Sequence, residues 1–268
     1  MRVGIYLNEK FLKDNEEYVN RILTAFSAES CAVIKGYKDL DGLNVLFVLG
    51  GDGTILTIAS ECAKRGVKII GINYGHLGFL AEFEQDKLDE AIALVKGGKY
   101  RVQSRSMLKV VSGGKTHYAL NDLVIQRNTG GSNFRNTVNL HAEIDGTTVD
   151  NFSSDGIIVS TPTGSTAYSL SAGGSVLTPD IGAFILTPIC PHSLHSRPVV
   201  FGDGSVLKIN PINAGAPLGL ILDGRVVGEV KDGEKVIVSK AEYKADFITK
   251  GDKNFFNKLL IKLNIWGK

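Results

Sequence analysis

Cysteine is scarce in this chain: 268 residues hold three, Cys31, Cys62 and Cys190, odd in number and far apart. That excludes a disulfide framework and a zinc-ligand set, and predicts reduced core thiols in a cytoplasmic protein. An excess of one charge is also missing, since 30 Lys and Arg face 28 Asp and Glu for a net +2. Nothing in that balance calls for nucleic acid or an anionic membrane as partner. No apolar run approaches membrane-spanning length, and the run in "MRVGIYLNEK" is too short for a signal peptide. Familiar catalytic and nucleotide signatures are absent too. There is no complete Gly-x-x-x-x-Gly-Lys-Ser/Thr, since Lys109 stands where its first glycine would precede Gly114-Lys115-Thr116. There is no Gly-x-Ser-x-Gly and no His-Glu-x-x-His, and Leu56 stands where the third glycine of Gly-x-Gly-x-x-Gly would be. His192 and His195 in "PHSLH" lack Cys or carboxylate neighbours at ligand spacing, so they read as ordinary polar residues.

What is present divides the chain into two grammars. Up to about residue 98, strand and helix signals alternate. "RVGIYL", "CAVI", "VLFVL" and "KIIGI" are short apolar runs of the kind buried on both faces of a parallel sheet. Between them, Tyr18, Ile22 and Phe26, then Ile55, Ala59, Cys62 and Ala63, then Leu88, Ile92 and Val95 recur at helical spacing. Gly66 and Gly97-Gly98 close the second and third of these. From residue 99 to about 250 β-type runs dominate, several of them separated by Asp145-Gly146, Asp203-Gly204, Asp223-Gly224 and Asp232-Gly233. Asp-Gly is a strong hairpin signal, because type I′ turns need positive φ at both central positions. The expectation is an α/β domain over 1–98, an antiparallel β-sandwich over 99–250, and a terminal helix over 251–268 that packs back on a domain.

The apolar run Val45–Leu49 ends in Gly50-Gly51-Asp52-Gly53-Thr54, just before the second helix pattern. Such a turn offers backbone N–H groups and the positive end of a helix to a phosphate, and glycines allow close approach. A carboxylate there repels phosphate, so Asp52 needs another task. It either accepts a proton from an attacking hydroxyl or holds the Mg²⁺ that accompanies ATP. The bland alternative is one more turn among seven Asp-Gly pairs. Farther on, "ALNDLVIQR" places Asn121-Asp122 at the start of a β-type run. "SSDGIIVSTPTGSTAYSLSAGG" gathers Ser and Thr hydroxyls around Gly164 and Tyr168. Small hydroxyls with one aromatic ring suit a pocket for a polar, planar ligand, and equally suit a loop making local turns. No Lys or Arg lies between Asn136 and Arg197, so this segment fits bases and riboses better than phosphates.

"GGDGT" resembles the signature of a kinase superfamily that includes NAD kinases, diacylglycerol and sphingosine kinases and, with a Ser variant, phosphofructokinases. Together with Asn121-Asp122, "DGIIVSTPTGSTAYSLSAGG" and "TPICPHSL", in that order and spacing, the chain is identified as a member of the NAD kinase family. The resemblance implies a Rossmann-like α/β domain plus a β-sandwich, a homo-oligomer (dimer or tetramer), and phosphorylation of the adenosine 2′-hydroxyl of NAD by ATP with a divalent metal. By the same resemblance Asp52 is the catalytic base, Gly53 contacts the dinucleotide, and Gly50, Gly51, Gly53 and Thr54 face phosphate. Asn121 and Asp122 bind the adenosine ribose and its surroundings. Thr163, Thr166, Ala167, Tyr168 and Ser171 line the dinucleotide pocket. Asp155 reaches the nicotinamide side, often from a neighbouring subunit, and Phe79 and Cys190 are wall residues. Ser153 and Arg225 depart from the family pattern, where Arg and Gln are common, which leaves NAD against NADH and the phosphoryl donor open. A lipid kinase is the enzymatic alternative, but no membrane-facing patch is visible. A non-catalytic dinucleotide-binding regulator is the other, and an intact Asp52 argues against it.

Overall fold

The computed structural model describes residues 1–7, 15–27, 30–74, 78–127, 137–212, 217–251 and 255–266, without the side chains of 263–266. Two compact units emerge: residues 1–104 with 244–268, and residues 105–243.

The first unit opens with β1 (Val3–Leu7), α1 (Glu16–Phe26), β2 (Cys31–Val33) and β3 (Val45–Leu49). It continues with α2 (Asp52–Arg65), β4 (Lys68–Asn73), β5 (Phe83–Glu84) and α3 (Leu88–Gly97). All five residues of β3 are buried, as a central parallel strand requires. The parallel order is β2-β1-β3-β4. One face of that sheet packs Ile5, Phe47, Ile70 and Ile72 against Ile22 of α1 and Leu88 and Val95 of α3. The other face carries α2, since a side chain at Gly71 would run into Ile55. The chain leaves β1 toward β2 and then crosses back to β3 on the opposite flank. That reversal is a topological switch point, and in open α/β sheets ligands bind beyond the carboxyl ends of strands at such a point. Asp52 lies just past the carboxyl end of β3. Both expected stops are left-handed caps, with φ of 67° at Gly66 and 64° at Gly98.

The remaining strands are β6 (Arg101–Ser112), β7 (Lys115–Ala119), β8 (Asp122–Arg127), β9 (Val138–Ile144), β10 (Thr147–Ser154) and β11 (Gly156–Ser160). After the short α4 (Tyr168–Ser171) follow β12 (Ala183–Ile189), β13 (Val199–Gly202), β14 (Leu207–Ile212), β15 (Leu218–Leu222), β16 (Arg225–Val230) and β17 (Val236–Thr249). In the second unit one sheet runs β13-β12-β11-β8-β15-β16 and the facing strands include β10-β9-β14-β17. Leu123, Ile125, Ile157, Val159, Leu186 and Leu220 of the first meet Leu140, Phe152, Ile209 and Val238 of the second in one core, which makes the sandwich. Two of the four expected Asp-Gly hairpins have positive φ at both positions, Asp145-Gly146 (50° and 80°) and Asp223-Gly224 (48° and 77°). At Asp232-Gly233 only the glycine turns left-handed, with φ 73°.

β17 carries the chain back to the first unit, where Phe247 pairs in parallel with Ile69 of β4. α5 (Phe255–Trp266) closes the chain. It packs back on the first unit, with buried Lys258 donating to Glu82 Oε2 and Ala81 O, both at 3.1 Å.

Candidate active site

In the first unit the Gly50–Thr54 turn opens α2. Gly51 is its N-cap, extended at φ −80°, and Asp52 is the first helical residue. The carboxylate of Asp52 does not face solvent freely. It accepts the backbone N–H of Phe79 at 2.8 Å and that of Leu80 at 3.1 Å. Gly78 approaches so closely that a β-carbon there would overlap the carboxylate. Glycine is therefore required at 78 by the position of Asp52. A carboxylate has about four lone-pair directions, so two fixed N–H donors orient it and leave room for a further donor. In the first turn of α2 the Thr54 and Ile55 N–H groups donate to Gly51 O at 3.0 and 3.3 Å, while those of Asp52 and Gly53 have no intrahelical acceptor. Phe79 is half-buried, and its ring meets Phe255 of α5 at 6.5 Å between centroids.

In the second unit Asn121 and Asp122 form the bend that begins β8. Asp122 is buried, and its carboxyl is pushed up to about 7, first by burial and then by the nearby charge of Asp223. Asn121 Oδ1 is buried with no hydrogen-bond partner among the described residues. That is an atom awaiting a donor. Asp155 follows β10, ion-paired to Arg127 at 3.0 Å. Tyr168 opens α4 and is 41% exposed. Its phenol is raised first by burial and then by the charges of Cys190, Asp155 and Asp122.

The loop after β11 behaves differently from a simple hydroxyl-lined pocket. Thr161 Oγ1 donates to Leu120 O at 2.6 Å, Ser165 Oγ to Pro162 O at 2.7 Å, and Ser169 Oγ pairs with Thr187 Oγ1 at 2.9 Å. These hydroxyls are buried struts that hold the loop's shape. Gly164 packs on the Asn121 carbonyl so tightly that any β-carbon would clash with it. Thr163 and Thr166 are buried as well, Ala167 is half-buried, and Ser171 is exposed. Cys31 and Cys62 are core thiols as expected, with burial pushing the first to about 11 and the second to about 12. Cys190 is not: it stands exposed with φ 45° where β12 ends, so the expectation of three core thiols is corrected to two.

Two residues at these places belong to no motif in the sequence. Arg105 arrives from β6 as a buried guanidinium whose Nη1 donates to Thr163 Oγ1 at 3.4 Å. The absence of cations along 137–196 therefore does not mean their absence around that loop. A buried Arg within the apolar alternation of β6 is the available signal. Asp223 is the other, and its Asp-Gly context looks like a turn alone.

Family models match both parts of the chain: "ATP-NAD kinase N-terminal domain" over residues 24–100 and "ATP-NAD kinase C-terminal domain" over 120–250. A protein of Carboxydothermus hydrogenoformans named NAD kinase is 34% identical over 271 residues, covering 98% of this chain and 95% of the relative. The solved NAD kinase of Archaeoglobus fulgidus in complex with ATP aligns with a TM-score of 0.77 at 26% identity, over 97% of this chain and 98% of the other. Yeast NADH kinase complexed with NADH shares the fold, with a TM-score of 0.84 at 23% identity over 98% and 88% of the two chains. The chain belongs to the ATP-NAD kinase family.

Proposed function

We propose that the protein transfers the γ-phosphoryl group of ATP to the adenosine 2′-hydroxyl of NAD, giving NADP and ADP. The observation that carries this reading is the Asp52 carboxylate, fixed by the Phe79 and Leu80 N–H groups at the start of α2. The 2′-oxygen attacks the γ-phosphorus, the bond to the ADP oxygen breaks, and Asp52 takes the hydroxyl proton and passes it to water. Gly51 and Gly53 offer backbone N–H groups and Thr54 its hydroxyl to the phosphates at the positive end of α2, whereas the Gly50 and Thr54 N–H groups expected there already donate to Ile72 O and Gly51 O. Asn121 Oδ1 and Asp122 bind ribose and base edges of the dinucleotide. In the second unit Thr163, Thr166, Ala167, Tyr168, Ser171 and Cys190 contact the dinucleotide and Asp155 takes the nicotinamide end; in the first unit Phe79 is a further contact.

The metal belongs to the substrate in this reading. Among the described residues no group of three His, Cys, Asp or Glu side chains is arranged to hold an ion. Mg²⁺ suits such a place, since it binds through phosphates and waters with one or two carboxylates. Of the two roles its sequence position allowed, we assign Asp52 the proton-accepting one, because its carboxylate is oriented by two N–H donors. We further propose a cytoplasmic homo-oligomer, a dimer or tetramer with sites shared between subunits. No helix among the described residues is long and apolar enough to cross a membrane.

A coupled assay tests the reading: NADP⁺ formed from NAD with ATP and Mg²⁺, run beside NADH, polyphosphate and a lipid acceptor. Turnover of the dinucleotide supports it. Phosphorylation of the lipid alone would replace it.

A further inference from the structure

Asp223 occupies the first central position of the type I′ turn between β15 and β16. Turn propensity accounts for its backbone but not for its side chain, because Asn-Gly serves such a turn equally well. Oδ1 accepts the N–H of Asn121 at 2.7 Å and of Asp122 at 3.2 Å, and Oδ2 accepts the N–H of Leu120 at 2.9 Å. Three consecutive N–H groups thus converge on one carboxylate, as in an anion-binding nest. The carbonyls of the same residues are held with equal completeness. Leu120 O accepts Thr161 Oγ1 at 2.6 Å, Asn121 O accepts Thr161 N at 2.9 Å, and Asp122 O accepts Asp223 N at 3.1 Å. Every backbone polar group of Leu120–Asp122 is satisfied without using the side chains of Asn121 and Asp122.

We propose that Asp223 is a positioning residue, whose carboxylate clamps the Leu120–Asp122 backbone and so presents the Asn121 and Asp122 side chains to the dinucleotide. The proposal rests on reading Asn121 and Asp122 as dinucleotide-binding groups. Asp223 itself touches no reacting atom in this role. It also acts on Asp122 through space. Burial comes first in raising the Asp122 carboxyl, and the charge of Asp223 comes second. Burial raises the Asp223 carboxyl overall, against the lowering effect of its three N–H donors and of Arg225; the other ionisable group near this pair is Tyr168, whose phenol feels Asp122. The partners of Asp223 lie about a hundred residues away, at separations of 101–103.

The test is Asp223→Asn, with Asp145→Asn at the other type I′ turn as control. Asn preserves the turn, but its NH₂ now opposes N–H donors that the carboxylate accepted. The expected result is a rise of roughly tenfold in KM for NAD with a much smaller change in kcat. In addition, the limb of the pH profile of kcat/KM that reports Asp122 moves to lower pH, because the neighbouring negative charge is gone. A merely structural turn residue moves neither KM selectively nor that limb. Asp145→Asn leaves both unchanged. Unaltered KM and pH profile in folded Asp223→Asn overturn the proposal. Asn121→Ala separates the two levels: if it too leaves KM unchanged, the dinucleotide reading fails and the proposal with it, whereas a raised KM there beside an unaltered Asp223→Asn sinks the positioning role alone. Should Asp223→Asn not fold, amide exchange on the wild-type chain decides. Strong protection at Leu120, Asn121 and Asp122 without NAD supports the clamp, and exchange within about tenfold of the unfolded rate overturns it.

Discussion

Replacing Asp52 by Asn keeps the size of the side chain and removes the ability to take a proton. General-base assistance accounts for ~10²–10⁴ in rate, or about 3–5 kcal/mol of barrier, so kcat should fall by that order. The structure adds a second effect that the substitution cannot avoid. Asp52 accepts two N–H groups, from Phe79 and Leu80, one on each oxygen. In Asn one of those oxygens becomes NH₂ and faces a donor, costing about 1–3 kcal/mol for the lost charge-assisted bond. A chain of this size then melts roughly 2–8 °C lower. The fall in kcat and the fall in Tm must therefore be separated. Gly78→Ala does so, because its β-carbon displaces the carboxylate while leaving the base chemically intact. It should lose stability comparably and retain more turnover than Asp52→Asn. Initial rates of NADP⁺ formation at saturating NAD and ATP–Mg²⁺, with melting curves and NAD affinities for both variants, settle the matter. A kcat for Asp52→Asn within about tenfold of wild type, below the ~10²-fold floor for a lost base, would refute the catalytic role.

Tyr168→Ala should raise KM for NAD about tenfold or more while the fold survives, since a ring stacked on a base contributes ~1–3 kcal/mol and this ring is 41% exposed. An unchanged KM removes Tyr168 from the site. Asp122 gives a stability prediction: its folded carboxyl titrates near 7, above the ordinary value of about 3.9, so the folded state keeps a proton that the unfolded chain releases. Stability from this group is full below pH ~4 and lost as pH rises toward ~7, on the order of 4 kcal/mol in total. Asp122→Asn should flatten that slope in urea titrations run at successive pH values, and an unaltered slope would show that another group is responsible. Mixing inactive variants at Asp52 and Asp155 should restore some activity through hybrid sites, whereas full activity from a species sedimenting as a monomer would rule out sites shared between subunits.

Features caused by near neighbours along the chain are legible in the sequence itself. The apolar run Val45–Leu49 is a fully buried strand, and the helical periodicity after it is α2, closed by Gly66 where the pattern stops. Hairpins are legible for the same reason, because positive φ is a property of two adjacent residues. Asp145-Gly146 and Asp223-Gly224 obey that rule identically. Their side chains nevertheless diverge. Asp145 Oδ1 accepts the Val206 N–H at 2.8 Å, while Asp223 collects three N–H groups from Leu120–Asp122. A turn signal is degenerate with respect to what the turn's carboxylate meets at the neighbouring strand of its sheet.

The same reasoning explains the fate of the Ser and Thr residues after β11. From sequence, a hydroxyl that binds a ligand and one that braces a loop are the same residue, and the difference lies in whether a protein acceptor is near. Thr161 finds Leu120 O, 41 residues away, and Ser169 finds Thr187, 18 residues away, so both are consumed by the scaffold. Asn121 Oδ1 finds nothing among the described residues. A buried polar atom without a partner is costly, and here a rigid frame of satisfied groups surrounds it. The loop's hydroxyls hold a shape whose open valence is on the opposing segment. In the first unit Asp52 follows the same logic, held by two N–H groups from a loop that Gly78 allows to come close. Both places spend their ordinary hydrogen-bonding capacity on fixing geometry and keep one acceptor in reserve, which is the arrangement preorganised binding of a hydroxyl-rich ligand demands.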